Sequence, residues 1–119
     1  MRERGSAVIE FALVVPLVLA LVLGVVEVAL VARSQLMVIN AAREGAREAA
    51  ANPDPAGAVM AARAVLGDRG AVTRVSVQRP DVVGQAARVR VAMPYRVAAP
   101  LFGGLSVELS ASATMRVER

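Results

Sequence analysis

Residues 11–26 read FALVVPLVLALVLGVV, a run of sixteen residues without a charge. As a helix this run covers about 24 Å, slightly less than the ~30 Å of a hydrocarbon core. Glu27 interrupts the run and residues 28–32 continue it, so the stretch to Ala32 covers about 33 Å. Leucine and valine occupy all sides of this helix and no polar stripe is present, which disfavours an amphipathic surface helix. The stretch predicts a transmembrane helix over about residues 11–32.

A secretory signal peptide is the main alternative, because basic residues followed by an apolar stretch fit both. The stretch is long for a signal peptide and no clear Ala-x-Ala site ends it, although residues 28–32 (VALVA) are small enough for cleavage. Arg2 and Arg4 precede the apolar run, so the short N-terminus is expected to stay in the cytoplasm. We therefore expect a single-pass protein of the cytoplasmic (inner) membrane, with residues 33–119 outside the cytoplasm.

The helical pattern continues beyond the membrane. Residues 33–51 (RSQLMVINAAREGAREAAA) contain no proline and one glycine, and Pro53 then ends the helix. One helix is predicted from about Ser6 to Ala51, with a kink at Pro16. Small side chains recur four residues apart and would let another element approach the helix backbone closely. These candidate helix-packing residues are Ala42, Gly45, Ala46 and Ala49.

Residues 53–119 are predicted to form a small extracytoplasmic domain. Residues 56–66 (AGAVMAARAVL) favour a short helix, closed by the glycines of residues 67–70. Apolar and polar residues alternate in three later segments, which predicts three strands, and a loop is expected at 98–104. The strand segments are 71–78, 87–95 and 105–118. The predicted fold class is α+β: a long N-terminal helix packed on a small antiparallel sheet of about three strands plus one short helix.

The side-chain inventory excludes most catalytic chemistry. The sequence has no cysteine, histidine or lysine, so disulfides, thiolate or imidazole metal sites and lysine nucleophiles are ruled out. Asp54 and Asp68 lie in predicted turns. The serines of the last strand have no base to activate them. We expect no catalytic residue, no metal and no cofactor, and the protein is not expected to be an enzyme.

The basic excess belongs to the outer domain. Residues 1–52 hold five arginines and five glutamates, whereas residues 53–119 hold nine arginines against five acids and so carry the whole +4. Arg74, Arg88 and Arg90 are candidates for one polar sheet face. Few aromatic residues accompany them, so no specific nucleic acid is expected as a partner. Attraction to an anionic surface or an acidic partner subunit remains open.

Two carboxylates flank the apolar run. A carboxylate inside a membrane is costly and usually has a partner, but a glutamate near a helix end can also extend to the headgroups. Glu10 lies at the start of the run, where both interpretations apply. Glu27 lies about 25 Å further along the helix, near the opposite interface or as a second membrane carboxylate.

Residues 5–11 (GSAVIEF), preceded by Arg2 and Arg4, resemble a type IV prepilin-type signal. The wider pattern resembles the TadE-like family of minor pilins or pseudopilins of tight-adherence (Flp-type) pilus systems. The matching stretches are RGSAVIEFALVVPLVLALVLGVVE (4–27) and NAAREGAREAA (40–50), with weaker support from LSASATMRVE (109–118). The resemblance implies a leader of residues 1–5, cut after Gly5 by a prepilin peptidase. Ser6 would then be the first mature residue.

The same resemblance implies how the protein works. Glu10 would occupy the fifth mature position, beside Phe11, and would set the register of assembly with a neighbouring subunit. The implied partners are the prepilin peptidase, other pilin-like subunits, the pilus assembly platform and the membrane. The alternative function is a single-pass, membrane-anchored binding domain that never enters a filament.

Overall fold

The computed structural model describes residues 2–97 and 104–118, and the side chain of Arg2 is outside that description. One long helix carries a small head, and the whole molecule extends over 82 Å. The helices are α1 (Arg2–Ala51) and α2 (Pro55–Leu66), and a 3-10 helix (Gly67–Val72) follows α2. The strands β1 (Arg74–Gln78), β2 (Ala86–Arg96) and β3 (Ser106–Arg116) form an antiparallel sheet in the order β1-β2-β3. The predicted α+β fold class is confirmed.

The long helix α1 begins earlier than predicted. It starts at Arg2 instead of about Ser6, passes through Pro16 without a break in the assignment, and ends at Ala51 as expected. Arginine and glutamate are good helix formers, and Glu3 in the first turn suits the positive end of the helix dipole. Residues 2–5 therefore belong to the same helix. A kink at Pro16 stays a prediction.

The short helix α2 is held at its N-terminus by a side-chain cap. The carboxylate of Asp54 accepts a hydrogen bond from the Ala56 N–H at 3.0 Å, and Pro55 occupies the first turn, where no N–H is needed. Asp54 is thus a helix cap rather than the plain turn former that the sequence suggested. Gly67, with φ of 59°, ends the helix.

The strand predicted from residue 71 begins later than expected. Residues 67–72 form the 3-10 helix instead, and β1 starts at Arg74. Gly70 lies so close to α2 that a Cβ there would stand 2.7 Å from the Arg63 carbonyl oxygen. Thr73, which is buried, donates through Oγ1 to the Arg69 carbonyl at 2.7 Å. The Gly70 contact holds the segment against α2, and the Thr73 hydrogen bond closes its last turn, so the strand begins only at Arg74.

The central strand β2 supplies most of the sheet's buried face. Val91 pairs with Val75 on one side and with Ala111 on the other. The buried residues of this strand are Ala87, Val89, Val91 and Met93. Strand β3, which has the clearest alternation in the sequence, lies at the edge, and of its apolar row only Leu109 and the adjoining Val117 are buried. The alternation in the sequence therefore identified which side of β3 is apolar, but not how much of that side is buried.

The C-terminal half of α1 packs against the sheet and α2. Its buried side in contact with them consists of Ser34, Val38, Ala41, Ala42, Gly45, Ala46, Ala49 and Ala50. Of the loop predicted at 98–104, only Gly104 falls within the described residues. Strand β1 ends at residue 78 as predicted, and the ends of β2 and β3 differ from the prediction by one or two residues.

Candidate functional site

The lower half of α1 projects from the head with its apolar side chains uncovered. Every large apolar side chain from Val8 to Leu13 is exposed, and nearly all of those up to Val26 are as well. No residue of its most apolar eighteen-residue window is buried. By length and composition, α1 is able to cross a membrane.

Glu10 lies on this uncovered part of α1. Its side chain is exposed and, within residues 2–97 and 104–118, forms no hydrogen bond or ion pair. Phe11 beside it is 70% exposed. Gly5 and the adjacent Ser6 lie in the first turns of α1, and a Cβ at Gly5 would meet nothing within 4 Å. Within the described part of the chain, these residues are exposed and form no hydrogen bond or ion pair with the head.

Among the described residues, Glu27 is the position nearest the N-terminus of α1 that forms a hydrogen bond with the head. The Tyr95 hydroxyl donates to Glu27 Oε1 over 3.5 Å, a long hydrogen bond between two half-buried side chains. One turn further, Val31 packs against the core. The Arg69 guanidinium then donates to the buried Ser34 hydroxyl at 3.1 Å. Within residues 27–32, which the sequence placed in the membrane span, Glu27 and Val31 thus contact the head, whereas Val28 is still 69% exposed.

The environment of Tyr95 raises the pKa of its phenol above the usual value of 10.0. Partial burial is the main cause, and the nearby Glu27 carboxylate adds to it because a second negative charge there is unfavourable. The folded protein therefore holds the phenol proton more tightly than the unfolded chain does. This stabilisation is present below about pH 10 and is lost as the pH rises further, through the raised pKa.

We expect Tyr95→Phe to remove most of the alkaline dependence of stability. The sequence has one tyrosine and no lysine, cysteine or histidine, so Tyr95 is the side chain whose ionisation changes stability above about pH 9. The measurement is thermal unfolding in non-ionic detergent at several pH values in that range. The wild-type midpoint should fall with rising pH and the variant midpoint should stay nearly level. Parallel curves would contradict this role for Tyr95.

Gly45 lies where α1, α2 and β2 meet. A Cβ at this position would stand 3.0 Å from Val89 Cγ1, 3.2 Å from the Ala62 Cβ and 3.3 Å from the Ala58 carbonyl oxygen. The other three candidate packing residues, Ala42, Ala46 and Ala49, are fully buried on the same side of α1. The head is therefore attached to α1 through small side chains at close range. On the outer side of the helix, Arg47 Nη1 is 3.9 Å from Glu44 Oε2 in an exposed ion pair.

The remaining candidates form no catalytic arrangement. Asp54 is the α2 cap, and Asp68 is an exposed residue of the 3-10 helix. The serines of β3 lie on its exposed side. Among the described residues, no group of three acidic, histidine or cysteine side chains could hold a metal ion.

Comparison with known proteins gives a family match for the long helix. The family model described as TadE-like protein matches residues 5–47. This part of the chain is TadE-like. The match includes Gly5, Glu10 and Glu27 and ends within α1, which confirms the predicted resemblance for the long helix. It covers less than half of the 119 residues, and the segment 109–118 lies outside it.

Neither the curated proteins nor the solved structures gave a match to this chain. The TadE-like helix and its uncovered apolar surface together fit a membrane-anchored, pilin-like protein. Proteins of the TadE-like pilus family are structural components, not enzymes.

Sequence reasoning missed the contact between Tyr95 and Glu27. These residues are 68 positions apart, and no local pattern pairs them. The capping role of Asp54 had a readable signal, because an aspartate directly before a proline often starts a helix.

Proposed function

We propose that the protein is a minor pilin or pseudopilin that assembles through its N-terminal helix. The system would be a tight-adherence (Flp-type) pilus or a related type II/IV-like secretion system. One observation carries the proposal: a TadE-like apolar helix projects uncovered from a folded head, with Glu10 placed five residues after Gly5. Lipid would surround this helix before assembly, and the helices of other subunits would surround it afterwards.

Processing at Gly5 would prepare the helix for assembly. The first turn of α1 makes no contact with the head, and glycine costs a helix about 1 kcal/mol relative to alanine, so local unwinding there is easy. A peptidase on the cytoplasmic side could then cut between Gly5 and Ser6. The proposed orientation has the N-terminus in the cytoplasm and the head outside the inner membrane. It rests on Arg2 and Arg4 preceding the span.

Glu10 would select the register of assembly. Cleavage would expose the α-amino group of Ser6, which could pair with Glu10 of a neighbouring subunit. A carboxylate left unpaired among packed apolar helices costs several kcal/mol, whereas a paired one is tolerated. Because Glu10 is exposed and has no partner among residues 2–97 and 104–118, its carboxylate is available for such a contact. The assembly platform would add the subunit when this pair forms.

Mass spectrometry of the membrane-extracted protein tests the processing step. In cells that make the prepilin peptidase, we expect the N-terminus at Ser6. A strain without the peptidase is the control, and there the chain should keep residues 1–5. An N-terminus at Met1 or Arg2 in both strains would contradict processing. That result would favour the alternative of an anchored binding domain outside any filament.

A further inference from the structure

The sheet face turned away from α1 is covered with hydrogen-bond donors and positive charge. We call it the arginine face and define it by seven residues: Arg74, Ser76, Gln78, Arg88, Arg90, Ser112 and Thr114. All seven are exposed. The strand register puts them in rows, because Arg90 lies between Ser76 and Ser112, and Arg88 lies between Gln78 and Thr114. Each central arginine is thus flanked on both sides by a hydroxyl or amide side chain.

The positive charge of this face is not neutralised locally. Glu108 is the one acidic residue with its side chain on the exposed side of β1, β2 and β3, and Arg74 binds it at 2.7 Å. Within the described residues, Arg88 and Arg90 form no ion pair or hydrogen bond. Arg88 and Arg90 line shallow depressions together with Ser76 and Gln78 on one side and with Ser110 and Ser112 on the other.

The direction of the strands keeps this face away from the plane of the membrane. Tyr95, near one end of β2, meets α1 at Glu27. Beyond the far end of β3, the Glu118 N–H donates to the Ala50 carbonyl at 3.0 Å. The strands therefore run along α1, and with α1 crossing the membrane, as the proposed function has it, the arginine face would stand along the membrane normal. A lipid surface does not fit it, but an extended polymer lying along the strands does.

The side chains of the arginine face limit the class of ligand further. Arginine presents a planar fork of donors that suits carboxylate and phosphate oxygens. The described part of the face has no aromatic side chain, so it offers no stacking platform for unpaired bases and no anchor typical of a protein interface. Serine, threonine and glutamine can both donate and accept, which suits the hydroxyl groups of a sugar. The backbone of DNA offers acceptor oxygens and no donors, so it would leave that second capacity unused.

We propose that the arginine face binds an acidic, uronate-bearing polysaccharide. The carboxylates would pair with Arg88 and Arg90, and the sugar hydroxyls would bind the flanking side chains. This site does not depend on incorporation into a filament, so it can be tested separately from the proposed function.

The test uses the full-length protein in non-ionic detergent and three polymers: polygalacturonate, neutral dextran and duplex DNA. Binding to polygalacturonate should weaken with rising salt, because it depends on charge. The variant Arg88→Ser/Arg90→Ser should bind about tenfold more weakly, as expected for two lost exposed charge contacts. The matched control is Arg43→Ser/Arg47→Ser, which removes the same charge from exposed positions on α1. The control should stay within about twofold of the wild type.

Three outcomes would overturn the proposal. Equal losses in the two double variants would mean that diffuse charge, and not this face, attracts the polymer. Binding to dextran as tightly as to polygalacturonate would remove the role of the carboxylates. Tighter binding to duplex DNA than to polygalacturonate would assign the face to nucleic-acid phosphates. Circular dichroism of both variants confirms that the head is folded in each measurement.

Discussion

Glu10→Ala is expected to enter the membrane and to be cleaved, yet to be lost from filaments. The substitution removes a carboxylate that contacts nothing on its own head, so the fold should be unaffected. What it removes is the proposed pair with the Ser6 amino group of a neighbour. If that pair contributes several kcal/mol in an apolar surrounding, incorporation should fall by about a hundredfold or more. Immunoblots of sheared filaments and of membranes measure the distribution.

Glu44→Ala is the matched control for Glu10. It removes a carboxylate from the same helix, at an exposed position where the ion pair with Arg47 is weak. Its incorporation should equal that of the wild type. Normal incorporation of Glu10→Ala would remove the register role of that residue, even if the protein still enters filaments.

Gly45→Val is expected to destabilise the packing of the head on α1. Its Cβ would already be 3.0 Å from Val89 Cγ1, and the added methyl groups would push α1 from α2 and β2. Overpacking of this kind costs about 1–3 kcal/mol, which lowers the midpoint of a small domain by about 4–8 °C per kcal/mol. The measurement is thermal unfolding in detergent, followed by circular dichroism.

Gly24→Val provides the comparison for Gly45→Val. Gly24 lies in the same helix, but a Cβ there would meet nothing within 4 Å. The midpoint for the head should therefore be unchanged or slightly higher. If both valine variants unfolded at the same temperature, the close approach at Gly45 would not be what holds the head on α1.

The architecture was readable from the sequence because its elements have strong local signals. An uninterrupted apolar run, strong helix formers up to Ala51 and alternating residues in three later segments specify a long helix and three strands. The predicted start of β1 was wrong because the segment before it is held by the contact of Gly70 with Arg63, which is tertiary and leaves no local pattern in the sequence. The exposure of β3 could not be predicted either, since alternation does not say which strand lies at the edge. Val107 and Met115 are 43% and 40% exposed for that reason.

Part of the candidate site could likewise be predicted from the sequence, and part of it depends on the fold. Gly5 and Glu10 were found through a local motif, and the TadE-like match covers both. The contact of Glu27 with Tyr95 depends on where the sheet meets α1, which no spacing in the sequence gives. The isolation of Arg88 and Arg90 also depends on the fold, because it requires knowing that the one acidic neighbour, Glu108, is bound to Arg74.

Photo-crosslinking from position 13 tests the central claim most directly. Leu13 lies on the uncovered part of α1 and is 72% exposed, and Met60 on α2, also 72% exposed, is the control position. A photoreactive residue at 13, in cells that make the complete pilus system, should form adducts with the N-terminal helix of another pilin-like subunit. Those adducts should disappear in Glu10→Ala, and position 60 should not give them. Adducts with lipid alone at position 13 would contradict assembly through α1.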